Sequence, residues 1–85
     1  EPQLPNPTPE LFVSALKDKK YDQAVRIGKS LLANDSPPAF RMNLAGAMFY
    51  AGLRDEAERE LASLLKQFPY HISARRNIEF VRSGR

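Results

Sequence analysis

His71 is the single histidine in this chain of 85 residues and the first candidate for acid–base chemistry. A general base of that type needs an orienting acid and a substrate pocket beside it. The sequence predicts neither, because His71 follows the Pro69-Tyr70 break at an expected exposed helix start. Glu56, Glu58 and Glu60 are the next carboxylates to weigh. They fall away from the Leu61, Leu64 and Leu65 stripe of their own predicted helix and read as solvated side chains. Cysteine is absent, which removes disulfides, thiolate zinc sites and sulfur nucleophiles. The four glycines form no phosphate-cradling loop, and no HExxH-type metal spacing occurs. The expectation is a chain that is no enzyme and that holds no cofactor or metal.

Composition points the same way. Thirteen basic residues against ten acidic ones leave a net charge of +3, which permits an acidic partner without requiring one. No run of about 18 apolar residues is present, so no membrane span is expected. The length suits one small domain, near the size at which a single core becomes marginal. Residue 1 is Glu rather than Met, and the expectation is a piece of a larger protein. Compartment is left open.

The elements that would position any site read as helices. Four prolines fall within residues 1–9, a composition suited to an extended linker or tail. Thr8-Pro9-Glu10 then marks a helix start through a capping hydroxyl, a first-turn proline and an acid at the positive end. Leu11, Ala15 and Leu16 suit a first helix ending near 18–20. Ala24, Ile27, Gly28, Leu31 and Leu32 make the stripe of a second. Residues 34–38 (Asn-Asp-Ser-Pro-Pro) are expected to stop it and cap a third, which carries Leu44, Ala45, Met48 and Ala51 and ends at Gly52. A fourth holds Ala57, Leu61, Leu64, Leu65 and Phe68 until Pro69. A fifth, over 72–81, turns Ile78 and Val81 inward. Nothing alternates with period two, so strands are not expected.

Repetition is the sharpest signal. The shift that carries Leu11 onto Leu44 also carries Asp22 onto Asp55, Ala24 onto Ala57 and Arg26 onto Arg59. The same shift places Ser30, Leu31 and Leu32 on Ser63, Leu64 and Leu65. A shift one position longer takes Asn43 and Leu44 to Asn77 and Ile78. Each unit is therefore a helical hairpin, and the fifth helix opens a third copy. The second unit, with Leu44-Ala45, Met48-Phe49, Gly52, Asp55-Glu56-Ala57, Leu61, Leu64 and Pro69, resembles the tetratricopeptide repeat (TPR). The first keeps Tyr21-Asp22-Gln23-Ala24 and Leu31. It departs from the pattern at Phe12, where a small residue is usual, at Lys19, where glycine is usual, and at Pro37, one position late.

The resemblance implies an all-α domain over 10–85, a right-handed stack of antiparallel hairpins at about 10–37 and 38–70 with a capping fifth helix at about 71–82. It also implies a protein–protein interaction module, whose concave groove binds a peptide or protein segment. By helical phase the third helix would present Met42, Asn43, Gly46, Phe49 and Tyr50 there, and the fifth Ser73, Arg76, Asn77 and Phe80. Aromatic and thioether surface would take apolar anchors, and amides would hold an extended backbone. Met42, Phe49 and Phe80 suit packing between units equally well. Asn43 occupies the place of an asparagine in the dicarboxylate clamp of chaperone-tail-binding members. The remaining clamp positions fall on Pro9, Val13, Ser73 and Asn77, so an acidic chaperone tail is not the expected ligand. Arg76 could pair with an acid of the partner, whereas Arg75, Arg82 and Arg85 read as a solvated face.

Two other functions compete. Two and a half repeats fall short of the usual three, so Ile78, Phe80 and Val81 could instead bury against a second copy. Nucleic-acid binding is disfavoured, because basic residues are spread over every helix and interleaved with acids.

Overall fold

A computed structural model of the chain describes residues 8–83. They form five helices, α1 (Pro9–Lys17), α2 (Tyr21–Leu31), α3 (Pro38–Tyr50), α4 (Arg54–Gln67) and α5 (Ile72–Ser83), with no strand among the described residues. The protein is all-α, as the periodicity predicts. Of the proline-rich stretch 1–9 only Thr8 and Pro9 are described, and both belong to the start of α1.

Local sequence explains where each helix begins. Thr8 Oγ1 accepts the Leu11 N–H at 3.2 Å, and Pro9 fills the first turn, where its missing N–H leaves no bond unmade. α3 also opens on a proline, Pro38, but no side chain caps it. The expected cap from Asn34, Asp35 or Ser36 is not formed. Ser36 Oγ instead accepts the Ala33 N–H at 2.8 Å, so the hydroxyl closes the preceding turn and is spent there. At α5 the cap comes from His71, whose Nδ1 accepts the Ala74 N–H at 3.1 Å.

One helix ending occurs twice, at matching places in the two hairpins. After α1 the Lys19 and Lys20 N–H groups bond the Leu16 and Ala15 carbonyls at 3.0 and 2.9 Å. After α3 the Gly52 and Leu53 N–H groups bond Phe49 and Met48 at 3.1 and 2.8 Å. This pattern requires a left-handed residue just past the helix, and Gly52 (φ 89°) supplies it without strain. Lys19 takes the same role at φ 61° despite its Cβ.

The principal contacts join each helix to its neighbours in sequence, α1 to α2, α2 to α3, α3 to α4 and α4 to α5. Phe12, Leu44, Leu61 and Leu64 are the largest fully buried side chains. Gly28 lets α2 approach both α1 and α3. A Cβ there would stand 2.6 Å from Leu44 Cδ1 and 2.9 Å from Phe12 Cε1. Phe12 and Gly28 thus pair a large side chain with none. Their counterparts in the second hairpin, Ala45 and Leu61, reverse the order and are also buried. The departure from the repeat pattern at Phe12 is matched by a compensating glycine.

Several sequence assignments are corrected. Phe68 is not part of the α4 stripe: it is the residue after the helix and is exposed, because a residue before proline is driven out of helical conformation. Leu32 likewise lies just past α2 in extended conformation. Glu60 is not solvated. Its carboxylate is 12% exposed and accepts from Arg41 Nε at 2.8 Å, while Arg41 Nη1 and Nη2 donate to Gln67 Oε1 at 2.6 Å and Ser63 Oγ at 3.0 Å. Glu56 and Glu58 remain partly exposed but each reaches another helix, at Lys29 (2.6 Å) and Arg82 (2.8 Å). The three glutamates of α4 therefore tie it to α2, α5 and α3. Arg82 is held by that pair, and Arg75 Nη2 donates to the Pro69 carbonyl at 2.9 Å.

Candidate functional site

Four aromatic rings form a ladder across three helices. Tyr21, the first residue of α2, stacks on Tyr50 at the end of α3, with centroids 5.2 Å apart and planes 30° apart. Tyr50 meets Phe49 edge-on at 5.5 Å, and Phe49 meets Phe80 of α5 at 5.3 Å. Such tilted and offset pairs add roughly 0.5–1.5 kcal/mol each beyond burial. The ladder is nevertheless not a core: Tyr50 is 65% and Phe80 58% exposed. Phe49 is half-buried against the core beneath them.

A cavity of about 210 Å³ opens beside this ladder, between α3 and α5, with Ala45, Leu61 and Val81 as its inner wall. It exceeds the ~150 Å³ that suffices to admit a benzene-sized molecule. Of the residues singled out from sequence, the cavity brings together Gly46, Phe49, Tyr50, Asn77 and Phe80. Met42 is half-buried and packs on the core; Asn43, Ser73 and Arg76 are exposed outside the cavity lining. Tyr21 was not anticipated. The available signal was positional, since Lys17 is the first-hairpin counterpart of Tyr50 and the turn after it leads straight to Tyr21.

The α5 wall is held from α4. Val81 is buried, Arg54 Nε donates to its carbonyl at 2.9 Å, and Arg82 pairs with Glu58. That carbonyl lies in the last turn of α5, where helical bonding leaves acceptors free, so Arg54 acts as a cap supplied by another helix. Phe80 directly precedes these two anchored residues.

No acidic residue lines the cavity; its polar groups are the Asn77 amide, the Tyr50 hydroxyl and backbone. His71 Nδ1 is occupied in capping α5, and among the described residues no group of His, Asp and Glu is arranged to hold a metal. Nor is any described helix long and apolar enough to cross a membrane. Ile78 and Val81, two of the three residues available for pairing with a second copy on sequence grounds, are already buried within the chain. No family model, curated protein or solved structure matches this chain.

Proposed function

We propose that the chain is a TPR-like interaction module, its hairpins stacked right-handedly, which holds an extended segment of a protein partner against α3 and α5. The observation that carries this reading is the exposed ladder of Tyr50 and Phe80 beside an apolar-walled cavity with one amide at its rim. Large apolar side chains stand in solvent at a cost unless something covers them, and this pair has a recess between its helices. An anchor side chain would enter the cavity while Asn77 and Asn43 hold the peptide backbone, and Arg76 would meet an acid where the partner supplies one. Recurrence of the helix-end geometry in both hairpins supports the repeat architecture.

Nucleic acid is the weaker rival. Lys29, Arg41 and Arg82 are engaged with the protein's own carboxylates, which leaves fewer cations for phosphates.

The test is a panel of extended peptides with apolar anchors, screened against the full chain by NMR titration. Signals of Gly46, Tyr50 and Asn77 should shift together. Tyr50→Ala and Phe80→Ala should each weaken the best binder by tenfold or more, equivalent to about 1.4 kcal/mol, while the domain stays folded and its melting temperature falls only by what the lost ring contacts contribute. Affinity should fall little between low and high salt; a steep fall would favour a phosphate ligand. Unfolding of both variants would make the rings structural and end the reading.

A further inference from the structure

The exposed large apolar side chains of the described residues divide between two places. Val13, Tyr50 and Phe80 stand on α1, α3 and α5, while Leu32, Phe68, Tyr70 and Ile72 fall at the α2–α3 and α4–α5 connections. Tyr70 is the most exposed of them at 92%, and Ile72 follows at 66%. Both connections lie at one end of the molecule. Arg41, in the first turn of α3, bonds Gln67 at the end of α4, and Leu32, Asn34 and Gln67 line one recess.

The same end is basic. No Asp or Glu occurs between Glu60 and Glu79, a stretch that holds Lys66, His71, Arg75 and Arg76. Lys66 and Arg76 are exposed and outside the ion pairs. Arg75 reaches back over the turn to donate to the Pro69 carbonyl at 2.9 Å, which sets a cation beside Tyr70. Asp35 is the single acid of residues 32–37 and 68–71, and Glu10 belongs to α1, whose principal contact is with α2. Aromatic and aliphatic side chains projecting from a turn, with lysine and arginine at their flanks, suit the boundary between lipid headgroups and acyl chains. Anionic lipid adds attraction for the cations. A second copy meeting this end across a twofold axis would instead bring like charges together.

We propose that the α4–α5 turn is a membrane-surface contact: Phe68, Tyr70 and Ile72 enter the interface of an anionic bilayer, and Lys66, Arg75 and Arg76 meet its headgroups. The chain then lies on the membrane rather than across it. Tyr21 begins α2 and Tyr50 ends α3, so both stand at the far end of the molecule and stay clear of the lipid. The aromatic face is left open to a partner.

The chain contains no tryptophan, so Tyr70→Trp in the full chain supplies a single fluorescent reporter. Its emission should move to shorter wavelength with vesicles of equal parts phosphatidylserine and phosphatidylcholine, and brominated acyl chains in those vesicles should quench it. Phosphatidylcholine alone should give little shift, and high salt should weaken the response. Tyr50→Trp should not respond; a response there instead would put lipid on the aromatic face and overturn the assignment. In co-sedimentation with the anionic vesicles, Tyr70→Ser/Ile72→Ser and Lys66→Gln/Arg75→Gln should each weaken binding by roughly tenfold or more, with circular dichroism unchanged. Emission that ignores anionic vesicles, or responds equally to phosphatidylcholine alone, would overturn the proposal. So would undiminished sedimentation of Tyr70→Ser/Ile72→Ser. An equal shift with polyglutamate would make an acidic protein surface the occupant, and a shift that grows with protein concentration in the absence of lipid would make it a second copy; either outcome ends the membrane reading.

Discussion

At the scale of single residues, two positions carry opposite kinds of tension. Lys19 holds the left-handed conformation that Gly52 holds in the second hairpin, and an L side chain there costs roughly 1–2 kcal/mol. Lys19→Gly should therefore stabilise the fold by about 0.5–1 kcal/mol, after the added freedom of glycine in the unfolded chain is subtracted. A rise of several degrees in the thermal midpoint would show it. Gly28 is the reverse case. Alanine is the better helix former by roughly 1 kcal/mol, yet its Cβ has no space between Leu44 and Phe12. Gly28→Ala should destabilise by about 1–3 kcal/mol through overpacking. Combining Gly28→Leu with Phe12→Ala copies the Ala45–Leu61 arrangement, and denaturant midpoints should show the pair to be less harmful than the sum of its parts.

At the scale of elements, helices were legible because their signals are local. Thr8-Pro9, the stripes of α2 and α4, Gly52 and Pro69 each act within a turn or two of themselves. The misplaced residues, Leu32 and Phe68, are apolar residues in helical phase just beyond a helix end, where a following turn or proline overrides periodicity. The unread part is tertiary. Arg41 gives no sign in the sequence that it will be 6% exposed, because its acceptors lie 19 to 26 residues away on another helix. Half of the site was read on the same basis: phase put Gly46, Phe49, Tyr50, Asn77 and Phe80 on one face, but not Tyr21, which joins through packing between hairpins. Arg41→Ala would strand Glu60 beside the α3–α4 contact, and urea unfolding should register a loss of about 3–5 kcal/mol. Arg41→Met with Glu60→Leu should recover much of that, since no charge is then left unpaired. The more exposed pairs Lys29–Glu56 and Arg82–Glu58 should each contribute at most about 1 kcal/mol.

At the scale of the whole molecule, the helices pack in sequence order, so the terminal elements each lean on one principal neighbour. α5 rests chiefly on α4, through Ala74, Ile78, Val81 and the two arginine contacts. Amide hydrogen exchange should therefore find α5 opening at lower free energy than α3 and α4, which carry Leu44, Leu61 and Leu64. Protection along α5 should rise when a ligand bridges Phe80 and Tyr50.

The same nearest-neighbour order bears on how quickly the chain finds its structure. Contacts between successive helices close short loops, and short loops surrender little chain entropy before they gain burial. Such a protein belongs with those that fold in microseconds to milliseconds. Growth from the α3–α4 hairpin outward should leave a transition state in which Leu44 and Leu61 are formed and Ile78 is not, so Ile78→Val should speed unfolding and barely slow folding.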